Sequence, residues 1–386
     1  MSGRQPVRIL LWIADTGGGH RAAAAAVAAA LEDAAGDGVS VVIQGPEPET
    51  GWSLGRAPAA LYGPIVRLAP ALWGAGFHLT DSRSGAWALR GVTRSTLTGA
   101  LAEGLARLRP AVAVSLHPLL VSPLAAAARR VAWSGPRATV VTDLARVHRS
   151  WVSAPVDLLC VPTAAAAAEC RRQRATPIPI ETGLPIAAPF SAVAPPGGED
   201  RPALRRRLGL DPERFCVLLT GGGEGAGLRA QTVHALAEAE LPIQLAVVCG
   251  RNRRLERTLQ AVPFPVPVRV VGYVDAMADW LRAADVVIGK AGPATIAEAA
   301  AMGRPLLCSG HLPGQEGPNL ALAVRAGFAR PTPGPRAMLE AIAELSVAGS
   351  PALARMGTAA RRWSRPDAAA RVAAALLALA EPGGRG

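Results

Sequence analysis

Long uncharged stretches are missing from this chain of 386 residues. No run of 18 or more apolar residues is free of charge, which excludes a membrane-spanning helix of ordinary length. Cysteine is sparse: five residues (160, 170, 216, 249 and 308), odd in number and without C-x-x-C spacing. That pattern excludes a disulfide framework and a zinc ribbon, and predicts a reducing, cytoplasmic setting. There is no G-K-[ST] after a glycine loop, so a Walker-type phosphate site is excluded. A D-x-D pair is absent as well. Aromatic residues make up 4% of the chain, and lysine occurs once, at Lys290. The opening "MSGRQPVRIL" enters an apolar strand at once, which predicts no leader peptide.

The charge is strongly basic. A formal +12 arises almost wholly from arginine, with 18 Arg against 13 acids in residues 1–199 and 23 Lys+Arg against 16 acids in 200–386. This balance predicts an anionic partner, a nucleotide or an anionic lipid surface. Nucleic acid is not expected, since no recognition module and no dense basic stripe is present.

Two αβ halves alternate short apolar runs with helical segments, the pattern of parallel sheets covered by helices. The first spans 1–190, a Pro/Gly-rich linker 191–202, and the second 203–360; a helical segment and tail, broken at Pro366, fill 361–386. Both halves open alike, with "VRILLWIADTGGGHRAA" and "RFCVLLTGGGEGAGLRA" each reading strand, three glycines, helix. The expected fold is α/β, two Rossmann-like domains facing each other across a cleft, with both glycine turns at the carboxyl ends of their strands. Gly17, Gly19 and Ala22 match the G-x-G-x-x-A dinucleotide fingerprint. The next strand, however, ends in Gln44-Gly45 and its first acid, Glu47, follows Pro46, so the acidic ribose ligand of an NAD site is missing.

Stronger signals lie between 272 and 329. The loop "GKAGPAT" opens a helix whose start can receive a diphosphate, and Glu298, one turn further in, can accept hydrogen bonds from ribose hydroxyls. The loop "HLPGQEGPN" then offers Gln315, Glu316 and Asn319, groups suited to sugar hydroxyls. In the first half, His20 follows the glycine turn directly, with the ordinary pKa of about 6.5 that suits a general base.

With these motifs in view, the chain resembles the monogalactosyldiacylglycerol synthases and their bacterial relatives, glycosyltransferases of the GT-B type. The resemblance covers nearly the whole chain and is carried by "DTGGGHRA", "SLHPL", "VVTDLARVHRSWV", "GGGEGAG", "VCGRN", "GYVDAM", "GKAGPATIAEA" and "PGQEGPN" in order. One departure is Arg149, which follows His148 where the family usually has proline.

The resemblance implies a UDP-sugar donor held in the second domain. Uracil would lie near Tyr273 and Val274, and the diphosphate on Gly221, Gly222, Gly223, Glu224 and Gly225 and on the helix opened by Gly292, Pro293 and Thr295. Lys290 would add positive charge, Glu298 would take the ribose, and Gln315, Glu316 and Asn319 the sugar. The first domain would bind diacylglycerol with Gly18, Gly19, His117, His148 and Trp151. His20 would be the base, with Asp143 or Asp15 orienting or replacing it. Single displacement would give a β-glycoside, with no cofactor and no metal, the leaving diphosphate being stabilised by helix termini. Galactose is the expected hexose, with glucose the alternative. A related UDP-GlcNAc-dependent cell-wall transferase and a UDP-sugar 2-epimerase are the rival readings. Trp52, Tyr62, Trp73, Phe77 and Trp87, interspersed with Arg56, Arg67, Arg83 and Arg90, form a basic aromatic segment suited to peripheral binding at an anionic, cytoplasmic membrane face.

Overall fold

Apolar runs of four to six residues recur along the chain, and each becomes a parallel strand. The computed structural model describes residues 6–14, 18–46, 70–191, 200–225 and 227–381. The chain forms two compact units, residues 1–187 together with 365–386, and residues 188–364.

The first unit is built on β1 (Val7–Trp12), β2 (Val39–Gln44), β3 (Val112–Ser115), β4 (Arg137–Val140), β5 (Leu158–Val161) and β6 (Ile180–Glu181). They pair in parallel in the order β2-β1-β3-β4-β5-β6. The sequence "VRILLW" lacks polar alternation because both faces of β1 are covered. Ile9, Leu11 and Ile13 enter one core cluster, while Leu10 and Trp12 enter another. On the first face lies α1 (Gly18–Ala35), whose Ala23, Ala24, Val27 and Leu31 pack on the sheet. On the other lies α3 (Arg83–Leu108), which α2 (Pro70–Asp81) precedes in the chain. Ser82 separates the two helices and caps the second, its Oγ accepting from Gly85 N at 3.0 Å. Gly104 of α3 sits where a Cβ would lie 2.6 Å from Trp12 Cη2, so the missing side chain is what lets the indole fill the core.

The second unit carries β7 (Phe215–Thr220), β8 (Ile243–Val248), β9 (Val268–Val271), β10 (Val286–Lys290), β11 (Leu306–Gly310) and β12 (Ala329–Pro331). Their order, β12-β11-β10-β7-β8-β9, is the doubly wound Rossmann order, with strand succession reversing between β7 and β10. In the first unit the reversal falls between β1 and β3. Ligands of open parallel sheets bind at such switch points. The loops that leave them are the glycine loop after β7 and "AGP" after β10 in one unit, and the turns after β1 and β3 in the other. Helices α4 (Pro293–Ala301) and α5 (Gly317–Arg325) follow β10 and β11.

The late helical segment breaks where Pro366 predicts. Helix α6 (Pro351–Trp363) ends the second unit, and α7 (Ala368–Ala380) returns to the first. There Val372, Ala373 and Leu376 are fully buried in the cluster that holds Val27 and Leu31 of α1. The small alanine face of α1 permits that close approach. Full burial of Val372 and Leu376 contributes roughly 1.5–3 kcal/mol each. The helical segment expected from 361 is thus divided between the two units. Most of the expected linker (192–199) lies outside the described residues, as do Asp15, Gly17, Trp52, Tyr62, Arg56 and Arg67.

Candidate active site

His20 stands in the first turn of α1, which begins at Gly18, and lies eight residues past Trp12, where β1 ends. Gly18 and Gly19 beside it are exposed and face open space. One partner that holds the ring is Thr142, whose Oγ1 lies 3.0 Å from Nδ1. Burial pushes the imidazole down to about 4, partly offset by hydrogen bonding at the Leu116 backbone. His20 is therefore neutral at pH 7.

His117, expected on the acceptor side, packs edge-on against His20 with centroids 4.6 Å apart. It is 3% exposed, and its Nδ1 accepts from Leu119 N at 3.3 Å, capping a short 3-10 turn. Burial and the neighbouring His20 hold its pKa well below the ordinary value. His148 caps a second turn in the same way, accepting from Ser150 N at 3.1 Å. An Nδ1 that accepts leaves the proton on Nε2, which meets Thr80 Oγ1 of α2 at 3.2 Å. Trp151 is buried at 1% exposure, 6.1 Å from the His20 ring, and its indole donates to Asp143 Oδ2 at 2.8 Å. Thr142 is thus one group that orients His20, and Asp143 holds the Trp151 indole beside it. Among the described residues no group of three or more His, Cys, Asp or Glu is placed to hold a metal ion.

In the second unit the glycine loop folds back on itself. Gly222 N donates to Thr220 Oγ1 at 3.1 Å, and Gly225 N donates to the Gly222 carbonyl at 2.9 Å. Gly225 has φ +66°, and a Cβ there would lie 2.2 Å from the Cys249 carbonyl, so only glycine fits. Arg251, a residue that pattern reading passed over within "VCGRN", ties the loop down. Its backbone N–H donates to the Gly223 carbonyl at 2.8 Å, and its guanidinium pairs with Glu224 at 2.9 Å. The same guanidinium stacks 4.6 Å over the half-exposed Tyr273 ring. Val274 follows, half-buried.

Opposite this loop, α4 begins at Gly292 with no side-chain cap, and Pro293 takes the first position. Among the described residues no side chain caps its first-turn N–H groups, which leaves a helix start of the kind that can receive an anion. A Cβ on Gly289 would lie 3.3 Å from both the Thr220 carbonyl and the Thr295 methyl, so the two switch-point loops adjoin. Lys290 Nζ bonds Glu316 Oε1 at 2.5 Å, and a Cβ on Gly292 would be 3.2 Å from that same nitrogen.

Glu298 accepts no hydrogen bond from any described residue, and burial alone pushes its carboxyl up to about 7. Glu316 is different. It is 2% exposed, and its second oxygen accepts from Leu312 N at 2.9 Å, so it locks its own loop. Asn319 is also 2% exposed; its Nδ2 faces the Ala291 carbonyl at 3.5 Å, and its Oδ1 has no partner. Gln315 is half-buried in the turn just before Glu316.

Two parallel six-stranded Rossmann-type units with switch-point loops of this kind define the GT-B architecture, and solved structures bear this out. The crystal structure of Acinetobacter baumannii MurG matches with TM-score 0.59 and 16% identity, covering 96% of this chain and 99% of that one. The Staphylococcus aureus MnaA–UDP co-structure matches with TM-score 0.62 and 14% identity, covering 96% of each. At that identity the likeness speaks for the fold. Sequence speaks more narrowly. Residues 20–186 match the family model for monogalactosyldiacylglycerol (MGDG) synthase, and residues 216–308 the glycosyltransferase family 28 C-terminal domain. The chloroplastic monogalactosyldiacylglycerol synthase of Spinacia oleracea is 32% identical over 374 residues, 94% of this chain and 70% of that protein. Monogalactosyldiacylglycerol synthase 1 of Arabidopsis thaliana is 30% identical over 379 residues, 94% of this chain and 69% of that protein. The chain belongs to the monogalactosyldiacylglycerol synthase family.

Proposed function

We propose that this family member moves a galactosyl group from UDP-galactose to the free hydroxyl of diacylglycerol, with inversion, giving a β-galactosyl diacylglycerol. The observation that carries the reading is the position of His20 in the first turn of α1, at the first unit's switch point, with its ring held by Thr142. In the step, the acceptor oxygen forms a bond to the anomeric carbon as the bond to the diphosphate breaks. The hydroxyl proton passes to the His20 imidazole. A base of pKa about 4 is adequate because the hydroxyl becomes strongly acidic as its oxygen is alkylated, so the base lies between the two extremes. The departing UDP is stabilised by the α4 N-terminus, the glycine loop and Lys290, and no metal or cofactor is called for. Glu298 accepts from the ribose, and Gln315 with the Glu316-locked loop frames the sugar.

Peripheral membrane association at a cytoplasmic face completes the proposal. No helix among the described residues is long and apolar enough to cross a membrane. Leu72, Leu79, Trp87 and Val92 of α2 and α3 are 59–78% exposed, beside the exposed Arg83 and Arg90. All five cysteines are buried and unpaired, which fits a reducing compartment. The test is direct: radiolabelled UDP-galactose or UDP-glucose, diacylglycerol vesicles, excess EDTA, and product identification. Galactolipid formed in EDTA supports the reading. Glucolipid would reassign the donor, a requirement for added Mg²⁺ or Mn²⁺ would reassign the leaving-group chemistry, and epimerised nucleotide sugar without acceptor would refute transfer.

A further inference from the structure

Asp81, the last residue of α2, gathers donors from Arg146 and Arg149, 65 and 68 residues away. Its Oδ2 accepts from Arg146 Nε and Nη2 at 3.1 and 2.8 Å, and its Oδ1 accepts from the Arg149 backbone N–H at 2.9 Å. Arg149 Nε returns to the Asp81 carbonyl at 2.8 Å. The carboxylate is 9% exposed, so these are desolvated, charge-assisted bonds. Thr80 reaches His148 in the same interface, Phe77 packs edge-on against the His148 ring at 5.1 Å, and the Arg146 guanidinium lies over the Phe77 ring at 5.5 Å. Residues 77, 80 and 81 share one face of α2. Leu72 and Leu79 emerge from the opposite face, 64% and 69% exposed.

Arg149 is the first residue of the 3-10 turn Arg149–Val152 that His148 caps and that carries Trp151. The N–H at that position has no partner within the turn, which is why proline is tolerated there. In this chain, where the family usually has proline, that spare N–H is captured by Asp81. We propose that Asp81 and Arg149 are positioning residues for the acceptor: their clasp fixes the apolar helix α2 against the turn that carries Trp151, and so sets where a lipid hydroxyl lies relative to His20. This rests on the proposed lipid-acceptor reading. The clasp touches neither reacting atoms nor the nucleotide loops, so it acts through the His148–Trp151 turn.

The test uses the full chain with Arg149→Pro, Arg149→Lys and Asp81→Asn. Arg149→Pro removes both Arg149 bonds at a position where proline fits the backbone. Arg149→Lys retains the backbone bond and serves as the conservative rescue. We expect the KM for diacylglycerol, in vesicles and as a water-soluble short-chain form, to rise about tenfold in Arg149→Pro and Asp81→Asn. The kcat should stay within about threefold, Arg149→Lys should recover most of the KM, and UDP affinity by calorimetry should not move. An unchanged KM, or a fall in kcat alone that follows the melting temperature, overturns the positioning role. If the parent protein itself transfers no sugar to either acceptor, the functional reading fails first, and the comparison among variants is not what refutes it.

Discussion

Replacing Glu298 by glutamine separates stability from binding in a way that tests the donor site. The carboxyl is pushed from its ordinary 4.5 up to about 7 by burial. Because the folded value lies above the unfolded one, the side chain's contribution to stability is complete below pH 4.5 and is lost as pH rises through 7. At ~1.4 kcal/mol for each tenfold in the protonation equilibrium, the full cost of the charge at pH 8 is ~3 kcal/mol. Half-burial of the residue lets water recover part of this, leaving ~1–2 kcal/mol. Glu298→Gln should therefore raise the melting temperature at pH 8 by roughly 2–6 °C and leave it unchanged at pH 4.5. UDP affinity should fall in the same variant by about tenfold or more, since a charged acceptor for ribose hydroxyls becomes neutral. A second signature needs no mutation. Hydrogen bonds from the ribose draw the carboxyl pKa back down, so UDP binding at pH 7 should release about half a proton. Calorimetry in buffers of different ionisation enthalpy reads that number directly. Binding without proton release, or a glutamine variant no more stable at pH 8, would refute the placement of Glu298 under the nucleotide.

His20→Ala should lower kcat by about a hundredfold while UDP affinity survives, measured by turnover and calorimetry on one preparation. The parent's kcat should be flat from pH 8 down to about 5 and decline toward pH 4 as His20 takes up a proton; an acid limb centred near 6.5 would mean that another group is titrating. Lys290→Met leaves the buried Glu316 carboxylate unpaired and should destabilise the fold by about 3–5 kcal/mol; adding Glu316→Gln should restore stability by denaturant titration without restoring UDP affinity. Leu79→Ser with Trp87→Ser should cut cosedimentation with anionic vesicles more than tenfold, since each exposed apolar side chain is worth roughly 1.5–3 kcal/mol when buried. Parent binding should weaken with salt, and equal binding by parent and variant would remove this face from the membrane contact.

What could be read from the sequence was whatever the chain encodes locally. Strand, glycine turn and helix follow one another within twenty residues in both units, so His20 at the start of α1 and Thr295 and Glu298 on α4 were placed by counting alone. The break at Pro366 was equally local, although the return of α7 to the first unit was not, because an alanine-rich face gives no hint of which alanine-rich face it meets. Partners fixed by tertiary approach escaped. Thr142 reaches His20 across 122 residues and Asp81 reaches Arg149 across 68, and nothing in "VVTDL" or "HLTDS" distinguishes a side chain that docks from one that faces water.

The aromatic segment shows the same limit from the other side, since aromatic content does not report direction. Phe77 turns inward onto His148, Trp73 is half-buried, and Trp87 alone of the described three is well exposed. The face that α2 leaves outward is marked instead by Leu72 and Leu79, seven residues apart, while 77, 80 and 81 on the other side grip the acceptor turn. Helical period, not residue class, divides this helix into a side for an apolar surface and a side for the site. A similar division governs the acids of the second unit. Glu316 folds beneath its own loop because Lys290 and the Leu312 N–H satisfy it, whereas half-buried Glu298 accepts no hydrogen bond from a described residue. A buried carboxylate whose bonds are complete has no free energy to offer a ligand. One whose bonds are missing does, and in the function proposed above Glu298 is the acid that a ribose would satisfy.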